Sequence, residues 1–303
     1  MTHTELLEKK TIVAVRASGR IAIAAACMSA LMLGIASAQQ PQGRPPAGGG
    51  RFVQPEPIDF NDHDGWTQIF DGKSLNGWDG PSEVWHVEDG SLVGVSSDAH
   101  PSGTTNIIWR GGEPANFRLR FEFKLEGAGA NGGVQYRSKN VPPQIREIPA
   151  ERLAQMTDEQ KQRMAKNQEL LKQHAKWNLT GYQADFDYNN RYSGQLYEQD
   201  SPRGIIAWRS QVVATEPGKK PRLLGTVGNA DELKNYIKPG EWNQFEVVAD
   251  GHTLTHILNG HVMAVLVDTD PKFYASQGLI AFEIEGGGDV KISHRNVWLK
   301  KLQ

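Results

Sequence analysis

Between residues 117 and 125 the chain reads Phe117-Arg118-Leu119-Arg120-Phe121-Glu122-Phe123-Lys124-Leu125, an unbroken alternation of apolar and charged side chains. Side chains alternate faces along a strand but recur every 3.6 residues around a helix, so this stretch has an apolar face only as β-structure. Shorter runs of the same kind are separated by Asp89-Gly90, Asp250-Gly251 and Asn259-Gly260, dipeptides that tolerate the positive φ angles of tight hairpins. Closely spaced hairpins with almost no helical sequence between them imply antiparallel strands. Two such layers sharing one apolar interior make a sandwich or jelly roll. The expected fold is all-β, and a chain of 303 residues with 38% hydrophobic content is long enough to fill its core.

One segment breaks the alternation. Pro149 to Trp177 is rich in Glu, Gln, Lys, Ala, Leu and Met, and Thr157 with Gln160 three positions later forms a capping-box pattern. The spacing predicts a helical insertion over 149–177, with Leu153, Met156, Met164, Leu171 and Ala175 as its buried stripe. Lining or gating a cleft suits this insert better than building the core, because it interrupts two strands of an otherwise complete pattern.

The N-terminal segment reads as targeting sequence. Lys9, Lys10, Arg16 and Arg20 precede an apolar run from Ile21 to Ile35, and Ala36-Ser37-Ala38 supplies the small residues that a signal peptidase accepts. Three regions are therefore expected: a signal peptide over 1–38, a Pro/Gly/Gln-rich tether over 39–59 and one domain over 60–303. An exported protein follows, periplasmic or extracellular, with no stable membrane insertion after cleavage. The single cysteine, Cys27, lies inside the cleaved segment and excludes a disulfide framework. A formal charge of −2 with mixed signs offers no basic footprint, so nucleic acid is not expected as a partner.

Motifs at both ends and in the middle of the domain then point to one family. Phe70-Asp71-Gly72-Lys73-Ser74-Leu75-Asn76-Gly77-Trp78 is followed by Trp85-His86-Val87-Glu88-Asp89-Gly90-Ser91-Leu92. Asn131-Gly132-Gly133-Val134-Gln135-Tyr136-Arg137-Ser138 comes next, then Gly181-Tyr182-Gln183-Ala184-Asp185 and Gly194-Gln195-Leu196-Tyr197-Glu198. Gly240-Glu241-Trp242-Asn243, Leu258-Asn259-Gly260 and Arg295-Asn296-Val297 close the series. In this order the motifs resemble the 3-keto-disaccharide hydrolase domain family. Two departures stand out: Gly133 occupies a place where the family's strand usually carries a serine-glycine pair, and the 149–177 insertion exceeds the usual linker. The resemblance implies a concanavalin A-like jelly roll of two curved antiparallel sheets with a sugar-binding face. It also implies an enzyme that cleaves glycosidic bonds of 3-keto-glycosides; a non-catalytic, lectin-like carbohydrate-binding domain is the alternative, because fold alone does not fix chemistry.

A ketone at C3 acidifies the hydrogen at C2, so a base can remove it while the C1 oxygen departs by β-elimination, and water can then add. Such a route needs a base, a stabiliser of the enolate oxygen and a proton donor for the leaving oxygen. Gln183 and Asp185 are two apart on an expected strand and share a face, opposite Tyr182 and Ala184. Asp185, Glu198 and Arg203 are the candidate catalytic residues, with Asp185 as base at C2 or as anchor of a cation. Gln183, Arg137, Trp208, Tyr136 and Trp109 are candidates for holding the sugar, and Trp85 is a further stacking candidate. A positive group or a metal can serve the enolate oxygen, and Asp185 with Glu198 could hold a divalent cation through oxygen ligands; a buried pair of Asp185 with an arginine that only fixes the sheet is the alternative. Among the histidines, His63, His174, His252 and His261 are expected at the surface, and His86, His256 and His294 as hydrogen-bonded sheet residues.

Overall fold

The computed structural model describes residues 57–145, 147–286 and 288–303. The 1–38 signal segment and the tether up to residue 56 lie outside the described residues. The strands in chain order are β1 (Thr67–Gln68), β2 (Trp78–Asp79), β3 (Trp85–Glu88), β4 (Ser91–Ser96), β5 (Thr104–Trp109), β6 (Phe117–Glu126), β7 (Asn131–Asn140) and β8 (Leu179–Asp187). They continue with β9 (Leu196–Gln199), β10 (Gly204–Ala207), β11 (Gln211–Thr215), β12 (Arg222–Thr226), β13 (Asn243–Asp250), β14 (Thr253–Leu258), β15 (His261–Asp268), β16 (Leu279–Glu285) and β17 (Val290–Lys301). Helices α1 (Ala150–Ala154) and α2 (Asp158–Gln173) lie between β7 and β8, and a short α3 (Ala230–Lys234), capped by Asn229, precedes β13.

These strands form two sheets. A ten-stranded sheet runs β12-β11-β15-β14-β13-β6-β17-β4-β3 with β1 paired to β17, and a seven-stranded sheet runs β10-β9-β8-β7-β16-β5-β2. The architecture is the expected all-β jelly-roll sandwich. Pairing is antiparallel except between β11 and β15, which run parallel. At the hairpin tips Asp89 and Gly90 have φ of 47° and 74°, and Asn259 and Gly260 have 48° and 81°, the backbone that these residue types were expected to supply.

The alternating stretch of β6 turns Phe117, Leu119, Phe121, Phe123 and Leu125 into the sandwich. Phe121 meets Phe282 of the facing sheet edge-on at 5.1 Å, and Phe123 stacks on Phe186 at 4.3 Å. Each such aromatic contributes roughly 1.5–3 kcal/mol by leaving water. Trp85 belongs to this core at 1% exposed, which removes it as a stacking platform for sugar. His294 stacks on Phe282 at 3.9 Å inside the core, and burial pushes its pKa down to about 3.

The insertion is helical, with the Thr157–Gln160 capping box formed in both directions. Its stripe is half-buried rather than buried, because α2 lies against the sheet's rim instead of entering the core. His174 departs from its expected surface position: it is buried at the end of α2, with Nε2 3.1 Å from Glu83 Oε1. Among the described residues no helix is long and apolar enough to cross a membrane.

Candidate functional site

Alternation in the seven-stranded sheet sorts its residues cleanly. Val134, Tyr136, Tyr182, Ala184, Phe282 and Ile284 face the core, so Gln135, Gln183, Asp185, Glu283 and Glu285 face the other way. Register places Gly133 of β7 opposite both Asp185 of β8 and Glu283 of β16, and Tyr197 of β9 opposite Gln183. Three neighbouring strands thus present amides and carboxyls on one outer face. A cavity of about 290 Å³ opens there, lined by Gln183, Asp185, Gln195, Tyr197, Asn131 and Glu285, with Tyr192 and Ile205 at one end.

Local sequence explains the shape of this end. The Asp187 carboxylate accepts the backbone N–H groups of Arg191, Tyr192 and Ser193 at 3.1, 2.6 and 3.1 Å, tying the tight β8–β9 connection that delivers Tyr192 and Gln195 to the cavity. Trp208, 46% exposed, lies with its ring 6.4 Å from that of Tyr192 and extends the aromatic surface beyond the cavity mouth. A second cavity of about 370 Å³ shares Asn131 and Glu285 with the first and reaches Asn167 and Leu171 of α2. The insert therefore lines the cavity next to the first.

Each of three carboxyls receives one side-chain amide. Gln195 Nε2 donates to Asp185 Oδ2 at 2.5 Å, Gln183 donates to Glu283, and Asn131 donates to Glu285. Gln183 is itself held by Gln135, whose Nε2 donates to Gln183 Oε1 at 2.6 Å, and Ser138 Oγ donates to Gln135 Oε1 at 3.0 Å. Among the described residues no lysine or arginine pairs with Asp185, Glu283 or Glu285. Burial pushes the Asp185 carboxyl well above its ordinary range, and the nearby Glu285 adds to the rise. Glu283 is raised by burial first and then by Glu285 and Asp185, whereas burial alone raises Glu285. Burial in this way favours the protonated, neutral form of these carboxyls.

Other expected site residues lie elsewhere. Glu198 and Asp185, expected to converge, stand on opposite sides of the sheet, because Glu198 pairs in register with the core-facing Tyr182. Its carboxylate accepts Arg203 Nε at 2.8 Å and Nη2 at 2.6 Å, and Arg203 Nη2 is also 2.8 Å from Asp268 Oδ2. Tyr182 Oη and Thr215 Oγ1 donate to the same Asp268 at 2.6 Å each. The buried ion pair considered for Asp185 is thus made by Glu198 and Arg203, and Asp185 and Glu198 cannot share a cation. Among the described residues no three Asp, Glu, His or Cys side chains stand ready to hold one metal ion.

Arg137 lies within a bulge of β7 with a φ of 45°, and its guanidinium donates to the carbonyls of Ala115 at 2.9 Å and Gly251 at 2.8 Å. It ties loops together rather than facing the cavity beside Asp185. Tyr136 is in the core with Oη 2.9 Å from His256 Nε2, and burial lowers the pKa of that imidazole to about 4. Trp109 packs on the core side of β5. Asn131, Gln195 and Tyr197 stand in the motifs quoted from the sequence without a site role there, and Glu283 and Glu285 fall outside them. Their signal was present: Glu283 and Glu285 are alternate acids in the otherwise apolar run Leu279 to Glu285, and Gln195 and Tyr197 alternate with Leu196.

Comparison with known proteins supplies a match at the level of family. Residues 65–300 match the family described as the 3-keto-alpha-glucoside-1,2-lyase-like domain. A curated relative from Bacteroides thetaiotaomicron, named 3-keto-disaccharide hydrolase, is 34% identical over 88 residues, which are 26% of this chain and 30% of that protein. A Parabacteroides distasonis ATCC 8503 structure provisionally named a glycosyl hydrolase is 18% identical, covers 79% of this chain and 95% of its own, and has a TM-score of 0.44. The carbohydrate-binding module CBM66 of Bacillus subtilis is 12% identical over 73% of this chain and 93% of its own, with a TM-score of 0.40.

Proposed function

Because the chain belongs to the 3-keto-alpha-glucoside-1,2-lyase-like domain family, we propose that it cleaves the glycosidic bond of 3-keto-glycosides or 3-keto-disaccharides by proton abstraction at C2, with elimination or net hydrolysis. The observation that carries this reading is the placement of two burial-perturbed carboxyls, Asp185 and Glu285, in one cavity with no cationic partner among the described residues. Proton transfer at carbon is slow in water and gains about 10²–10⁴ from a placed acid or base. The cavity also supplies hydrogen-bond donors for a developing enolate oxygen in Asn131, Gln195 and the Tyr197 phenol, whose proton burial holds more tightly. Trp208 and Tyr192 offer ring faces on which a sugar can stack.

Those same ring faces favour the second reading, a carbohydrate-binding domain without chemistry. Incubation with a 3-keto-glucoside and with its unoxidised parent separates the two. An enzyme of the proposed class releases free aglycone from the ketone only. Saturable binding of both sugars without release would leave the lectin reading standing.

A further inference from the structure

The two cavity carboxyls are not equivalent in position. Asp185 lies on β8 beside Gln195 and Tyr197, at the end of the cavity bounded by Tyr192 and Ile205 and flanked by the Tyr192–Trp208 pair. Glu285 lies on β16, two strands away, where the cavity meets the second one under α2 and its neighbours are Thr104, Asn131 and Asn167. One end is aromatic, suited to a departing group of varied structure; the other carries the polar side chains of Thr104, Asn131 and Asn167 beside Leu171, suited to the hydroxyls of a sugar ring. Gly133 of β7 pairs with Asp185 and Asn131 of β7 pairs with Glu285, so the two acids lie diagonally across β7 on strand backbones roughly 10 Å apart, two sheet spacings.

The two also differ in access to water. Asp185 is 7% exposed, whereas Glu285 is only half-buried. Three carboxyls with no cationic partner among the described residues disfavour one another's ionisation, and the member most open to water gives up its proton most easily. Glu283, fully buried beneath Gln183 with Oε1 unpartnered, is the last.

We infer that Glu285 is the base that takes the C2 proton and Asp185 is the acid that protonates the leaving oxygen. This assignment rests on the function proposed above and reverses the role first expected of Asp185. The Glu285 carboxylate takes the hydrogen from C2, the C2–H electron pair becomes the C1=C2 double bond conjugated with the C3 ketone, and the C1–O pair leaves on oxygen. The Asp185 proton goes to that oxygen, releasing an alcohol. Addition of water runs the steps backwards: Asp185 takes a proton as the water oxygen bonds to C1, and Glu285 returns its proton to C2. Hydration restores both carboxyls to their starting states, and elimination alone leaves the protons exchanged until solvent resets them.

The test uses the full chain with two 3-keto-glucosides, one of 4-nitrophenol, which leaves without a proton, and one of a simple alcohol, which does not. Glu285→Gln is expected to slow both by about 10²–10⁴ and to stop exchange of the C2 hydrogen in deuterium oxide. Asp185→Asn is expected to slow the alkyl glycoside by a similar factor, to slow the nitrophenyl glycoside less than about tenfold, and to keep C2 exchange. The opposite pattern, or equal losses on both substrates in both variants, would overturn the assignment while leaving the activity itself intact. Should an amide variant not fold, the leaving-group dependence of the unaltered protein still decides. A shallow dependence supports a donor on the leaving oxygen, and a steep one removes it. No turnover of either ketone by the unaltered protein would instead defeat the proposed function.

Discussion

Gly133 shows how one missing side chain shapes the cleft floor. A Cβ built there would stand 2.6 Å from Gln183 Nε2 and 2.9 Å from the Ala184 carbonyl, so the bare backbone at this position makes room for the Gln183–Glu283 contact. Gly133→Ala should therefore displace Gln183 and cost about 1–3 kcal/mol in urea unfolding; a neutral result would show that the floor yields. Glu283 lends itself to a pH test. Its folded pKa is raised above the unfolded value, chiefly by burial, so it favours folding fully below the ordinary glutamate range and loses that contribution as pH rises toward the folded value. Glu283→Gln cannot titrate. Its melting temperature should gain on that of the parent progressively from pH 4 to pH 8, and a gap independent of pH would show that Glu283 ionises freely in the folded protein.

At the scale of elements, Glu198 of β9 and Asp268 at the end of β15 join the two sheets through Arg203. Arg203→Met leaves two buried carboxylates facing each other without their cation, and an expected loss of about 3–5 kcal/mol should appear in thermal unfolding. Turnover per folded molecule should stay within about tenfold of the parent, since breaking a buried ion pair on the core side removes no group from the cleft; a loss near that of a missing acid or base would return Arg203 to the site. The insert is anchored at its C-terminal end, where Asn106 Nδ2 donates to the Trp177 carbonyl at 3.0 Å and Trp177 Nε1 donates to Asp79 Oδ1 at 2.9 Å. Replacing 150–173 with a short Gly/Ser linker while keeping His174 to Asn178 should leave cooperative unfolding intact and weaken substrate binding, because Asn167 and Leu171 wall the second cavity. Failure to fold would place the helices in the core after all.

For the molecule as a whole, the cleft is formed on one side of a single sandwich, and its acids are supplied by β8 and β16, strands almost a hundred residues apart in sequence yet separated in space only by β7. The basic residues, apolar run and Ala36-Ser37-Ala38 at the start of the chain lead us to propose export with cleavage after Ala38. Protein recovered from its native host should begin at Gln39 by mass spectrometry. An intact Met1 would count against export by this route.

Much of this was readable before any coordinates. The alternation of β6, the hairpin dipeptides, the Thr157–Gln160 cap and the shared face of Gln183 and Asp185 are consequences of neighbours a few residues apart, and local sterics enforce them in any tertiary setting. Sequence also carried the parity of Glu283 and Glu285, but not which strand they would join. Whether Glu198 lies beside Asp185 or behind it depends on the register of β9 against β8, where Tyr182 meets Glu198 and Gln183 meets Tyr197. One residue of slip would exchange the two faces. Long-range packing chooses that register by burying Leu196 and Ala184 together, and the same packing sets β16 beside β7 and strips water from Asp185 and Glu283. Faces within a strand are local and belong to sequence; neighbours between strands, and the proton affinities that burial imposes on them, exist only once the two sheets close.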